Sequence, residues 1–200
     1  MRAVPKAAFV TGELDQLTLV RACRGDASAR HALVLQYEAQ VHAFVARMLV
    51  SRRHRSVCDD LTHDTFVRVL QALADFDPNG PAKLSTWILT IASRLCIDEL
   101  RRRECPVDVE TLLDANADAN PSPLALAERR RVALAIEAAI AELPPGFRAA
   151  FLLREAHGLA YDEIARALNI EVGSVRSRLA RARARLQAAL AAHHPGKEVP

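Results

Sequence analysis

The stretch from 104 to 127, "ECPVDVETLLDANADANPSPLALA", limits the fold of this chain more than any other. It holds three prolines and five acids with no basic residue, so it cannot build a core and reads as a flexible acidic linker. The chain therefore divides into a block at 1–103, the linker at 104–127, a block at 128–192 and a tail at 193–200. Charge follows the same division. The net charge of +3 hides a first block with 15 basic and 11 acidic residues and a remainder after the linker with 12 and 8. Two net-basic blocks flanking an acidic stretch point to a polyanionic partner for the blocks and another duty for the middle.

Both blocks carry helical periodicity, and no convincing alternating strand interrupts it. The pattern predicts a short helix over 14–24, broken at Gly25-Asp26, and a long one over 27–50. A third begins near Asp59 after "SRRHRS", and a fourth covers 85–103. Asn79-Gly80 is bracketed by Pro78 and Pro81, so 77–86 reads as an irregular loop rather than a hairpin. Helix resumes near 124 and breaks at "LPPGF" and after Leu168. The expected fold class is all-α, two small helical domains on a tether.

In "AYDEIARALNIEVGSVRSRL" one short helix with an apolar face of Ile164, Ala165 and Leu168 ends at Asn169, which tolerates a left-handed turn. A second helix starts near Val172, and the pair forms a helix-turn-helix pattern. At about 100° per residue, Val175, Leu179, Ala182 and Leu186 share an inward face. Gly173, Ser177, Ala180 and Ala184 then mark the outward centre. Arg176 and Arg183 stand on one flank, with Arg178, Arg181 and Arg185 on or near the other. Small residues on the ridge let a backbone sink into a groove while long cations reach phosphates. A merely solvated helix mixes acids and bases, yet 172–192 holds no acid. Ser174, Arg176 and Ser177 are placed to meet base edges, and Arg178, Arg181 and Arg185 belong to the same DNA-binding set.

At these residues the chain resembles the extracytoplasmic-function (ECF) sigma factors of bacterial RNA polymerase. "YDEIARALNIEVGSVRSRLARARARL" is similar to their promoter-reading helix-turn-helix. "DDLTHDTFVRVLQAL" and "LSTWILTIASRLCIDELRRR" resemble their second conserved region, and "LPPGFRAAFLLREAHGLAYDEIA" the start of the fourth. Asn169 stands where the family usually has glycine, and Glu171 where a Ser or Thr cap is usual.

The resemblance implies that the first domain binds core RNA polymerase and the melted minus-ten element, and the second the minus-thirty-five element. The helix from Asp59 becomes a polymerase-docking surface with Asp59, Asp60, Leu61, Asp64, Thr65 and Arg68. Its acids have a competing explanation as partners of the helix dipole at an N-terminus. The loop 77–86 matches the place where the family captures a flipped base, with Asn79, Lys83, Ser85 and Thr86 as candidates, and Trp87 on the following helix stands either in the core or against the melted strand. Arg101 and Arg102, at the end of that helix, suit its C-terminal dipole and phosphate contacts equally. The resemblance implies that the linker threads through the polymerase, although its charge alone suits a solubilising tether equally, and an anti-sigma factor is an expected partner.

No catalytic residue or cofactor is assigned. His54, Cys58 and His63 lack a fourth metal ligand, and Cys23, Cys58, Cys96 and Cys105 show no C-x-x-C pairing. Neither a leader nor a membrane span is apparent, which predicts a cytoplasmic protein with reduced thiols. The alternative function is a helix-turn-helix regulator acting without core polymerase, its first domain holding a ligand pocket.

Overall fold

The computed structural model describes residues 12–49, 55–102 and 123–193. The linker expected at 104–127 lies, through residue 122, outside them. Its last five residues belong to a helix instead, because Pro123 opens a helical segment where its missing N–H costs nothing.

Four helices make the first lobe: α1 Gln16–Cys23, α2 Ala27–Leu49, α3 Arg55–Ala72 and α4 Leu84–Arg102. Asp15 caps α1 by accepting from the Thr18 N–H at 2.9 Å, and Asp26 caps α2 through the Ala29 N–H at 2.8 Å. Both carboxyl pKa values are lowered, that of Asp15 by the Thr18 hydroxyl and then its N–H, and that of Asp26 chiefly by the Ala29 N–H. Gly25, at a φ of 93°, turns the chain between the two helices. Leu33, Val41, Phe44 and Met48 of α2 meet Val69 of α3 and Ile88, Leu89 and Cys96 of α4 in the core. Cys96 is a core residue, and burial pushes its thiol pKa up, so it behaves as a small apolar side chain.

The second lobe holds α5 Pro123–Ala141, α6 Pro145–Glu155, α7 Tyr161–Leu168 and α8 Val172–His193. Asn169 adopts the left-handed conformation, φ 51° and ψ 55°, and the α7–α8 turn follows from it. Val175, Leu179, Ala182 and Leu186 are all buried, as the periodicity predicts.

The two lobes pack directly on one another. α4 lies against α6 and α7, and α2 against α5 and α6, so that one apolar cluster runs through both. Arg148 of α6 sits at their junction, 6% exposed. Its guanidinium donates to the carbonyls of Ile140 and Leu143, both at 3.0 Å, and of Ala141. It also donates to the carbonyl of Met48 in the first lobe. One cation thus satisfies the exposed carbonyls at the ends of α5 and α2. Burial lowers its pKa to about 10, still far above neutrality.

Arg94 makes a second crossing. Its Nε donates to the Ala167 carbonyl at 3.1 Å and its Nη2 to that of Arg166 at 3.3 Å, both at the C-terminal end of α7. Gln40 Nε2 lies 3.3 Å from His157 Nδ1, and the His157 ring stands edge-on to Phe44 at 5.5 Å. No helix among the described residues is long and apolar enough to cross a membrane.

Candidate nucleic-acid and polymerase interface

On α8 the outward centre is as small as the sequence requires: Gly173, Ser177, Ala180 and Ala184 are all exposed. Arg176, Arg181 and Arg185 are exposed beside them. Ser177 Oγ donates to the Ser174 carbonyl at 3.0 Å, which leaves its lone pairs facing outward as acceptors. Ser174 itself is half-buried.

Two arginines of the run are engaged inside the lobe. The Arg178 guanidinium lies 5.9 Å from the Phe147 ring centre, and its Nη1 is 3.4 Å from the Gly146 carbonyl. Arg183 pairs with Glu155 at 2.7 Å, and that hydrogen bond raises its pKa. The expectation that Arg178 belongs with Arg181 and Arg185 therefore meets a side chain already folded back onto α6. Within the described residues the free cationic set of α8 is Arg176, Arg181 and Arg185.

The minus-ten candidates fall into two groups. Asn79 and Lys83 are exposed on the loop, and Ser85 is half-buried where α4 begins. Trp87 is half-buried with its ring 5.1 Å from that of Phe76, which gives it a packing role and leaves part of its surface open. Thr86 is buried and its hydroxyl points at Glu163 of the other lobe, 3.4 Å away. In this packed form Thr86 is not available to a nucleic acid. Arg101 and Arg102 are exposed at the end of α4, with Arg102 Nη1 3.3 Å from Glu99.

α3 starts at Arg55, earlier than the sequence pattern suggests, and its first turn contains no acid. Asp59, Asp60 and Asp64 thus sit beyond the turn where the dipole acts, and dipole stabilisation does not account for them. All three are exposed, as is Arg68, and Asp60, Asp64, Val67 and Arg68 follow one face. Asp59 reaches His42 of α2 at 3.2 Å. Leu61 and Thr65 are different. Both are buried, and Thr65 returns its hydroxyl to the Leu61 carbonyl at 2.7 Å. They lie beneath the exposed face of α3 and are not part of its surface. His54 lies outside the described residues, Cys58 is buried, and no described group of His, Cys, Asp and Glu converges as a metal site.

Sequence reading missed Arg94, Arg148 and Glu163, because each acts on residues far away in the chain. Glu163 accepts from the Ala160 N–H at 2.7 Å to cap α7 and also faces Thr86. A Glu three residues after the start of the turn was the one local signal for it. Arg148 gave none, since "GFRAAF" offers no sign that its cation is buried.

Comparison with known proteins agrees with this arrangement. Residues 33–104 match the family model for sigma-70 region 2, and residues 133–186 that for sigma-70 region 4. The chain is 34% identical over 164 residues to the ECF RNA polymerase sigma factor SigE of Mycolicibacterium smegmatis, covering 80% of this chain and 61% of that protein. It is 32% identical over 180 residues to the ECF RNA polymerase sigma-E factor of Escherichia coli, covering 84% of this chain and 90% of that one. Among solved structures, CnrH, determined in complex with the cytosolic domain of CnrY, is similar at a TM-score of 0.64 and 25% identity, covering 90% of this chain and 99% of that one. Two sigma regions in the right order, on two helical lobes, leave one conclusion: the chain belongs to the ECF sigma factors, non-enzymatic subunits that bind core RNA polymerase and direct it to promoters.

Proposed function

We propose that the surfaces divide the work as follows. The outer face of α8 enters the minus-thirty-five major groove, with Ser177 at base edges and Arg176, Arg181 and Arg185 on phosphates. The loop 77–83 and the start of α4 capture a base from the melted minus-ten element, with Asn79, Lys83 and Ser85 in contact and Trp87 stacked nearby. Arg101 and Arg102 hold the adjoining backbone. The exposed acids of α3, with Arg68, dock on the polymerase.

The observation that carries this reading is the construction of α8. Its inner face is wholly buried and its outer centre is small, with three exposed arginines along its sides. Melting is a joint act, because nine aromatic residues in the whole chain give few stacking surfaces to offset the few kcal/mol of unstacking. The acidic segment between the lobes then follows the basic nucleic-acid path of the polymerase. An anti-sigma factor that holds the lobes together is the expected regulator.

The test is run-off transcription with purified bacterial core polymerase on fragments of the source genome. New start sites sharing two upstream elements would support this division and reveal the promoter. Template-dependent starts lacking a common minus-ten element would count against the role given to the loop.

A further inference from the structure

The segment ahead of α1 is stitched across the loop that carries the minus-ten candidates. Glu13 Oε2 accepts from the Tyr37 hydroxyl at 2.9 Å and from the Ser85 N–H at 3.4 Å, and Glu13 Oε1 accepts from Ser85 Oγ. The Leu14 N–H donates to the same Tyr37 oxygen at 3.0 Å. Tyr37 is buried, so the strap is anchored on the core of the first lobe. Gln16 follows, and its Nε2 lies 3.1 Å from both the Pro78 carbonyl and Asn79 Oδ1.

The chemistry of that trio fixes an orientation. A proline carbonyl can only accept, so the end of Gln16 that faces it must be the amide NH2. Its second hydrogen then requires an acceptor from Asn79, which must be Oδ1. Turning Gln16 round would set two carbonyl oxygens against each other. The Asn79 backbone is held as well, its N–H donating to Asp77 Oδ1 at 2.9 Å. Nδ2 of Asn79 is left exposed, with no partner among the described residues.

We infer that Gln16 is a specificity-determining positioning residue, which locks the Asn79 amide so that a donor is the group offered to the captured base. The inference rests on the reading of 77–86 as the base-capturing loop. Asn79 Nδ2 then favours a base that turns an acceptor toward it, such as a thymine O4 or O2. It disfavours a base that presents an exocyclic amine there.

Changing Gln16 to Glu removes both donors. A carboxylate in that place would face the Pro78 carbonyl, which can only accept, so it swings into solvent and the Asn79 amide loses its partner. Gln16→Glu and Gln16→Ala should therefore both free the amide and relax the choice.

The experiment uses the full chain with core polymerase on a promoter obtained by run-off selection. Each minus-ten position is replaced in turn by all four bases, and initiation rates are compared for wild type, Q16A, Q16E and N79A. The inference expects N79A, Q16A and Q16E each to reduce discrimination at one shared position by about tenfold, the worth of one misplaced hydrogen-bonding pair. If N79A flattens the profile while both Gln16 variants keep the wild-type one, the lock is wrong and the loop reading stands. If N79A changes nothing, the loop reading fails and the inference falls with it. Gln16 is exposed, and equal thermal melting of its variants confirms that the profiles compare folded proteins.

Discussion

Arg178 and Arg181 are a single turn apart on α8, and the same substitution should do different things at each. Arg181 is exposed with its charge free to displace counterions, so Arg181→Ala should weaken binding to all promoters alike. It should also reduce the slope of log affinity against log salt by about 0.9, one phosphate contact's worth. Arg178 lies over Phe147 and against Gly146. Arg178→Ala should leave the salt slope almost unchanged and lower stability by about 0.5–1 kcal/mol in urea unfolding. A full unit lost from the slope would put Arg178 on DNA. The difference between the two was not legible in the sequence, because periodicity gives the angle at which a side chain leaves the helix but not whether a partner waits there. Phe147 and Glu155, which take up Arg178 and Arg183, lie about 30 residues upstream.

At the scale of elements, the turn between α7 and α8 was readable because its chemistry is local. Asn169 has a φ of 51°, a conformation costly for side chains with a branched β-carbon. Asn169→Gly should be tolerated or slightly stabilising. Asn169→Val should cost about 1–2 kcal/mol and lower minus-thirty-five affinity by tilting α8, which fluorescence anisotropy on a duplex would detect. The start of α3 was misplaced for the opposite reason. Its opening turn, around Arg55, is polar and lacks the apolar repeat that marks the later turns. α6 hides the costliest position. Arg148 serves four carbonyls at once, so Arg148→Met leaves them without donors and should destabilise the protein by about 3–5 kcal/mol. A midpoint unchanged in urea would show that water replaces the guanidinium at little cost.

The whole molecule is in a packed form that cannot span a promoter. The two promoter elements lie about 25 base pairs apart, or about 85 Å along the duplex at 3.4 Å per step. A compact chain of this length has a radius of gyration of only about 16 Å. On the proposed division of work the lobes must separate before both elements are bound, and Thr86 is uncovered when they do.

Acid should favour that separation. Burial lowers the His157 pKa from 6.5 to about 4, with the charge of Arg47 adding to the effect. Between those values the packed form binds fewer protons than the separated one. Packing is thus fullest above pH 6.5 and weakens by about 1.4 kcal/mol per unit as pH falls through the window. Glu137 opposes this in part, since burial raises its pKa and the packed form takes up its proton more readily. Small-angle scattering should show a larger radius at pH 5 than at pH 7.5, and His157→Gln should remove most of the change. An unchanged radius would mean that protonation of His157 does not part the lobes.

The partners of Arg148 and Arg94 are main-chain oxygens, which every amino acid supplies alike. Substitution at Met48, Ile140, Ala141 or Leu143 changes a side chain and leaves the acceptor in place. The junction can therefore persist through lineages whose side chains there have drifted, unseen by comparison of residue identities at those sites. Its weakness is spacing. One residue inserted between Pro145 and Arg148 would turn the guanidinium about 100° around α6, away from every oxygen it serves.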